Sequence, residues 1–380
     1  MRVIFVLLSM LLILAGCAQS PGTEDGVQPI DVAAALGSRE VAGFERAETV
    51  RDFYFPEDHG PHPDFRNEWW YFTGNLSDGE GNRYGFQLTF FRVAISPDPV
   101  ESSSDWATRQ IYMAHFAITD VRGREFHGFE RLSRGAVGLA GAEMDPLHVW
   151  VEDWEIAGEN GNRFPWRLRA ASGGHAISLE VDPMKDIVLQ GDRGLSQKSS
   201  EPGNASYYYS ITRLAASGTL TVGGIERSVS GTAWLDREWS TSALGEDQVG
   251  WDWFALQLDD GSEVMYYQLR RKDGSADPFS QGVVVDVEGE VTHLSAADVE
   301  LEALDTWKSP AGEAYPVKWR MSVKPLDRTF IIRTVLKGQE QNLSVRYWEG
   351  AVDVADEEET GLIGRGYMEL TSYGERVDGE

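Results

Sequence analysis

The chain has 380 residues, 61 of them acidic against 34 basic, for a net charge of −27. So large an acidic excess argues against nucleic acid or anionic lipid surfaces as partners. A single cysteine excludes an intrachain disulfide, and the length exceeds what one hydrophobic core usually serves, so two domains are expected.

The chain opens with Arg2 and an apolar run over 3–14, long enough for a signal h-region and too short to span a bilayer. The run ends in Leu14-Ala15-Gly16-Cys17, which resembles a lipobox. Small residues suit the peptidase's cut, and the thiol takes the diacylglycerol. Residues 1–16 therefore read as a lipoprotein signal peptide and Cys17 as the lipidated residue, a membrane anchor. Ala18 stands where an Asp would resemble an inner-membrane retention signal. The expected location is the cell envelope, on the outer membrane facing the periplasm. Residues 17–43 are rich in small and polar types and read as a tether, with one short helical piece at 31–36.

Strand signals dominate the rest. Segments 84–95, 110–121, 147–156, 177–181, 207–214, 251–258 and 263–271 are rich in aromatic and β-branched residues. Turn formers such as Asp78-Gly79, Asn160-Gly161, Asp260-Gly261 and Asp273-Gly274 separate strands. Over 147–156, Leu147, Val149 and Val151 alternate with His148, Trp150, Glu152 and Trp154. Helical periodicity is nearly absent. An all-β chain of barrels or sandwiches follows, with the domain junction near 243–249. Thirteen tryptophans suit either the cores of two β-domains or the walls of an apolar cavity.

Several chemistries lack their signatures. No Gly-x-Ser-x-Gly elbow supplies a serine nucleophile, and no phosphate loop is present. His59-x-x-His62-x-Asp64 could offer metal ligands, but Gly60, Pro61 and Pro63 make it a stiff loop, better suited to capping a barrel mouth. Neither a metal nor a cofactor is expected. A glycosidase-like pair, such as Glu68 with Asp236, stays open.

Five aromatic-rich segments stand out: 55–62 continuing into Asn67-Glu68-Trp69-Trp70-Tyr71-Phe72-Thr73-Gly74; Ala114-His115-Phe116-Ala117; Gly231-Thr232-Ala233-Trp234-Leu235-Asp236-Arg237-Glu238-Trp239-Ser240; Gly250-Trp251-Asp252-Trp253-Phe254; and Tyr347-Trp348-Glu349-Gly350-Ala351-Val352. In this order, over 53–373, they resemble the AttH / carotenoid 1,2-hydratase-like family. The resemblance implies two tandem lipocalin-like (calycin-type) β-barrel domains, here 44–243 and 244–380. It also implies one characterised chemistry, addition of water across a terminal double bond of an acyclic carotenoid. Some relatives look like lipoproteins accessory to ABC-type exporters. In the hydratase branch the stretch at 236–239 reads Asp-His-Asn-Trp, and a later Tyr-x-Asp falls on Tyr266 and Gln268. Trp239 and Tyr266 are kept, whereas Arg237 replaces the histidine and Gln268 the carboxylate. An arginine cannot donate a proton at neutral pH.

Alkene hydration needs a strong acid, a base for water, and aromatic faces for the cation. Glu68, Asp236 and Asp252 are the acid–base candidates, with Trp239 and Tyr266 added by the resemblance. Trp69, Trp70, His115, Arg237, Trp251 and Trp253 are the binding candidates. Arg237 could also serve structure, bridging Asp236 and Glu238 or meeting Asp252, and His115 could be a hydrogen-bonded core residue. The leading expectation is an envelope lipoprotein that binds a hydrophobic or amphipathic small molecule of lipid or isoprenoid type. The alternative is a hydratase-type or hydrolase-type enzyme on such a substrate.

Overall fold

The computed structural model describes residues 30–31, 42–99, 101–160, 162–241, 244–245 and 247–374. Cys17 and the helical piece expected at 31–36 lie outside them, apart from Ile30–Asp31, a short strand. The described residues form two large, essentially antiparallel sheets and two 3-10 turns, with no α-helix among them.

In the first sheet the strands run Glu125–Arg134, Gln110–Asp120, Arg83–Ala94, Asn67–Asp78, Ile225–Ser240, Ala205–Val222, His175–Pro183, Arg163–Ser172, Trp154–Asn160, Leu147–Val151 and Ala140–Met144. Nearly every neighbour is also a sequence neighbour. The exception, Asn67–Asp78 against Ile225–Ser240, joins the two meanders. The sheet curls until its ends approach each other: Arg131 stacks on Trp154 at 5.0 Å, and Phe116 meets the same indole edge-on. The second sheet repeats the plan from Val291–Ser295, Gln281–Val285, Glu263–Arg271 and Gln248–Leu258 through Leu362–Leu370 and Val345–Asp356 to Val299–Lys308, with Ile30–Asp31 pairing alongside Val345–Asp356. Both are lipocalin-like barrels, as the sequence led one to expect.

One expected strand is divided. The stretch 147–156 is a hairpin, Leu147–Val151 and Trp154–Asn160, with a two-residue turn at Glu152-Asp153. Glu152 takes φ 58°, the left-handed conformation such a turn demands. The turn resets the side-chain phase, so Trp154 enters the barrel core beside Val151.

Side chains fill both barrels. Trp70, Phe72, Phe86, Phe116, Trp154 and Trp166 occupy the first, while Phe254, Tyr266, Trp319, Phe330 and Trp348 occupy the second. The barrels then dock face to face. A third apolar cluster joins Tyr71, Tyr208 and Trp234 of one to Trp253, Met265, Tyr267 and Tyr367 of the other. Central strands therefore bury alternate residues in their own barrel and the intervening ones against the partner. Gly85 marks a close approach, because a Cβ there would sit 2.9 Å from both Ala351 Cβ and the Tyr367 hydroxyl. Polar groups fix the docking. Asn75 donates to the Gly366 carbonyl at 3.1 Å, Arg83 pairs with Asp353 at 2.6 Å, and Glu263 accepts from Arg213 and Lys185 at 2.5 and 2.7 Å.

Candidate functional site

Where the docked faces part, they leave a cleft of about 800 Å³, its open mouth included. The first barrel contributes Trp69, Tyr71, Phe91, Tyr208, Asp236 and Glu238. The second contributes Trp251, Trp253, Tyr267, Leu269, Glu349 and Glu369, and Lys198, Ser240 and Leu244 complete the lining. Strand alternation selects these residues. On Ile225–Ser240, Asp236 and Glu238 face the cleft while Leu235, Arg237 and Trp239 face the barrel. On Gln248–Leu258, Trp251 and Trp253 face the cleft while Phe254 and Leu256 face the second core.

Three carboxyls in the cleft have no arginine partner; Asp236 and Glu349 are buried and Glu369 is partly buried. Asp236 accepts from the Ser210 and Tyr208 hydroxyls, both at 2.5 Å, and from Trp234 Nε1 at 2.7 Å. Burial pushes its pKa up to about 6 against those donors, and the Glu238 charge adds to the rise. Glu369 accepts from Trp251 Nε1 at 3.3 Å, and burial pushes its pKa up to about 7. Glu349 accepts from the Tyr71 hydroxyl, while its Oε2 has no partner in hydrogen-bond geometry. Burial, then the charge of Glu369, raise its pKa well above the carboxylate range. Burial thus favours the protonated form of Glu349, while Asp236 is mostly ionised at neutral pH. One cleft holds a donor and an acceptor. The fourth carboxyl, Glu238, pairs with Lys198 at 3.1 Å, and the Lys198 ammonium also lies 4.2 Å from the Tyr267 ring centre.

A second ionic cluster closes the mouth of the first barrel. The Glu68 carboxylate accepts from Arg237 at 2.7 Å, Arg92 at 2.9 Å, and the backbone and ring of His62. Burial alone would raise its pKa, but Arg237 and then Arg92 hold it well below the carboxylate range. The His62 ring spans Glu68 and Asp58 at 2.7 and 3.0 Å and stacks on Trp239 at 3.7 Å. Burial, then the Arg237 charge, push His59 down to about 3, leaving a neutral imidazole beside the Tyr209 hydroxyl. Among the described residues no group of three or more His, Cys, Asp or Glu is placed to hold a metal.

The AttH-like family profile matches residues 46–373. The chain belongs to the AttH-like family. An AttH protein of Nitrosomonas europaea shares 34% identity over 87% of this chain and 100% of its own, with a TM-score of 0.78. Kievitone hydratase from Nectria haematococca is similar in fold, with a TM-score of 0.65 over 91% of this chain and 98% of its own, at 14% identity. No curated protein matches the sequence.

In this AttH-like chain the cleft brings together Trp69, Asp236, Trp251 and Trp253 of the residues singled out from sequence. The others face elsewhere. Glu68 and Arg237 are partners in the barrel-mouth cluster, with the Arg237 guanidinium 4.0 Å above Trp70, and Trp239 packs beside them. Arg237 thus meets neither Asp236, Glu238 nor Asp252. Asp252 binds Arg270 at 3.1 Å and the Tyr373 hydroxyl at 2.8 Å, and Tyr266 lies in the second core. His115 sits between the barrels, its Nδ1 2.7 Å from the Tyr347 hydroxyl and its Nε2 3.1 Å from Glu130. Sequence reasoning passed over Tyr71, Lys198, Tyr208, Tyr267 and the acids Glu349 and Glu369. For the two acids a signal existed: each is the one charge in an apolar stretch of its strand, Tyr347-Trp348-Glu349-Gly350-Ala351 and Tyr367-Met368-Glu369-Leu370. Lys198 had none.

Proposed function

We propose that the interdomain cleft is the active centre of a hydratase-type enzyme that adds water to a carbon–carbon double bond of an apolar or amphipathic substrate. One observation carries this reading. Asp236, Glu349 and Glu369 converge on an aromatic-walled cleft with protonation tuned by burial rather than by arginines. A fold shared with a protein named a hydratase supports it.

In this mechanism the protonated Glu349 delivers its proton to one alkene carbon, and positive charge develops on the other. The faces of Trp69, Trp251 and Trp253 stabilise that charge. Asp236 takes a proton from the water that attacks the cation, forming the C–O bond. Return of that proton to Glu349 closes the cycle, so the net change is one water added. The test is incubation with a panel of terminal and prenyl alkenes in heavy-oxygen water. A product heavier by one labelled water supports the reading, and unchanged alkenes throughout would remove it.

The same walls favour a second reading, a carrier that holds its hydrophobic ligand unchanged. Recovery of a co-purifying ligand that the protein does not convert would select it. On either reading we infer attachment to the cell envelope through a lipid on Cys17, and service beside an ABC-type exporter. Incorporation of labelled fatty acid, lost in Cys17→Ala, tests the anchor.

A further inference from the structure

The cleft gathers four carboxyl groups, Asp236, Glu238, Glu349 and Glu369, against one ammonium, Lys198. Lys198 and Glu238 satisfy each other, leaving three acids whose donors are all neutral: hydroxyls of Tyr71, Tyr208 and Ser210, and indoles of Trp234 and Trp251. Glu349 goes furthest. It is 1% exposed, it lines the cavity, and its Oε2 has no partner in hydrogen-bond geometry, with the neutral Tyr347 hydroxyl close beside the carboxyl. Buried polar atoms are almost always satisfied, so this oxygen points to a group that a ligand brings. An anion there would meet Asp236 in a poorly screened setting. A cation would meet carboxylates and the faces of Trp69, Trp251 and Trp253, an arrangement that attracts it most when water is excluded.

We propose that the cleft selects ligands carrying a positive charge, of the tertiary or quaternary ammonium class, seated on the tryptophan faces and balanced by a cleft carboxyl that gives up its proton on binding. The step balances: a neutral carboxyl and a cation become a carboxylate–cation pair, and one proton goes to solvent. The inference rests on the hydratase reading for the site's place in function, because a bound ammonium and a hydration cation ask for the same surroundings. It concerns binding alone, and it stands or falls separately from turnover.

The titratable groups facing the ligand are Asp236, Glu238, Lys198, Glu349 and Glu369, with Tyr71, Tyr208, Tyr267 and Tyr347 around them. Burial holds Tyr71 and Tyr208 well above their ordinary range, so both stay neutral. The proton therefore comes from Glu349, Glu369 or Asp236. A cation binds the ionised form, so affinity climbs with pH while those acids still hold protons in the free protein. For Asp236 and Glu369 that span ends near 6 and 7.

Three probes of one shape test this on the full chain: phenyltrimethylammonium, its neutral isostere tert-butylbenzene, and benzenesulfonate. Tryptophan fluorescence gives affinities, and calorimetry in two buffers of different ionisation heat counts protons. The ammonium should bind at least about tenfold tighter than tert-butylbenzene at pH 7.5, with benzenesulfonate weakest. Binding should release up to one proton and strengthen up to about tenfold per pH unit from about pH 5.5 to 7. Glu349→Gln and Glu369→Gln should narrow the gap between ammonium and hydrocarbon while leaving tert-butylbenzene affinity within about twofold. Equal or tighter binding of tert-butylbenzene at pH 7.5, or ammonium binding without proton release at about pH 5.5 to 6, where the cleft acids still hold protons, would overturn the proposal. Should either variant fail to fold, the three-probe comparison on the wild type still decides. Alkenes left unhydrated while the ammonium binds would remove the hydratase reading and keep this one.

Discussion

Two of the places where this molecule buries carboxylates solve the problem in opposite ways. At the first barrel's mouth Glu68 is compensated by Arg92, Arg237 and His62 and is held ionised. In the cleft Asp236, Glu349 and Glu369 receive only neutral donors, and burial raises all three. The first arrangement fixes a charge and with it a structure. The second leaves protons free to move within the range of ordinary pH, which acid–base chemistry requires. Glu68 and Asp236 are nevertheless carried by strands that pair directly, Asn67–Asp78 and Ile225–Ser240. The two sites differ by which face of one sheet a residue occupies.

Isosteric amides break the comparison most sharply. Glu349→Gln should cost about 10²–10⁴-fold in turnover, since it deletes the acid, yet change stability by less than about 1 kcal/mol, because it replaces a neutral carboxyl by a neutral amide. Glu68→Gln should do the reverse. It leaves Arg237 and Arg92 buried without their counterion, at a cost of about 3–5 kcal/mol in unfolding free energy read from urea titrations. Equal destabilisation by both would show that the cleft acids are structural.

The pH dependence of stability should separate the same two places. Glu369 holds its proton more tightly folded than unfolded, its pKa moving from 4.5 to about 7. Its contribution is therefore present below about pH 4.5 and lost as pH rises through 7. By the size of that shift it is of order 3 kcal/mol. Glu68, shifted downward, has the opposite sign: its stabilisation is present above the ordinary carboxylate range and lost as pH falls. Urea midpoints from about pH 4.5 to 7.5 should decline more gently in Glu369→Gln than in the wild type. An unchanged slope would mean that Glu369 titrates normally.

Of the strands that build the two sites, 207–214, 251–258 and 263–271 were legible in the sequence, whereas Asn67–Asp78, Ile225–Ser240, Val345–Asp356 and Leu362–Leu370 were not named as strands, and the phase was legible for none. A half-buried strand reveals its inner face through a polar outer one. Here Asn67–Asp78 and Gln248–Leu258 are buried on both faces, one in a barrel and one against the other barrel, so little polar alternation sets the register. Asp236 and Glu68 thus looked equivalent, as did Trp251 and Asp252, although only Asp236 and Trp251 reach the cleft. Over 147–156 the reverse occurred: regular alternation masked a turn at Glu152-Asp153. Lys198 was beyond reach because its burial depends on Glu238 and Tyr267, partners 40 and 69 residues away, and no local pattern encodes them. The family's motifs carried the fold well, since barrel closure depends on the same aromatic strands that resembled the family.

The smallest expected effect isolates one hydroxyl. Tyr71→Phe removes the only hydrogen bond made to Glu349 Oε1 among the described residues and keeps the ring, which packs edge-on against Trp253 at 5.2 Å. A lone hydrogen bond to a buried group is worth about 1 kcal/mol, so turnover should fall by roughly fivefold rather than vanish. The direction on acidity is also fixed. Tyr71 is one of the donors that lower the Glu349 pKa, so the phenylalanine variant should push that pKa higher still and shift the alkaline limb of the rate profile upward. In the barrel-mouth cluster the matching change is small for a different reason. Tyr209 touches His59 rather than Glu68, so Tyr209→Phe should leave the rate profile where it is. A rate profile moved by Tyr209→Phe and left alone by Tyr71→Phe would place the working carboxyl at the barrel mouth and reverse the assignment of the two sites.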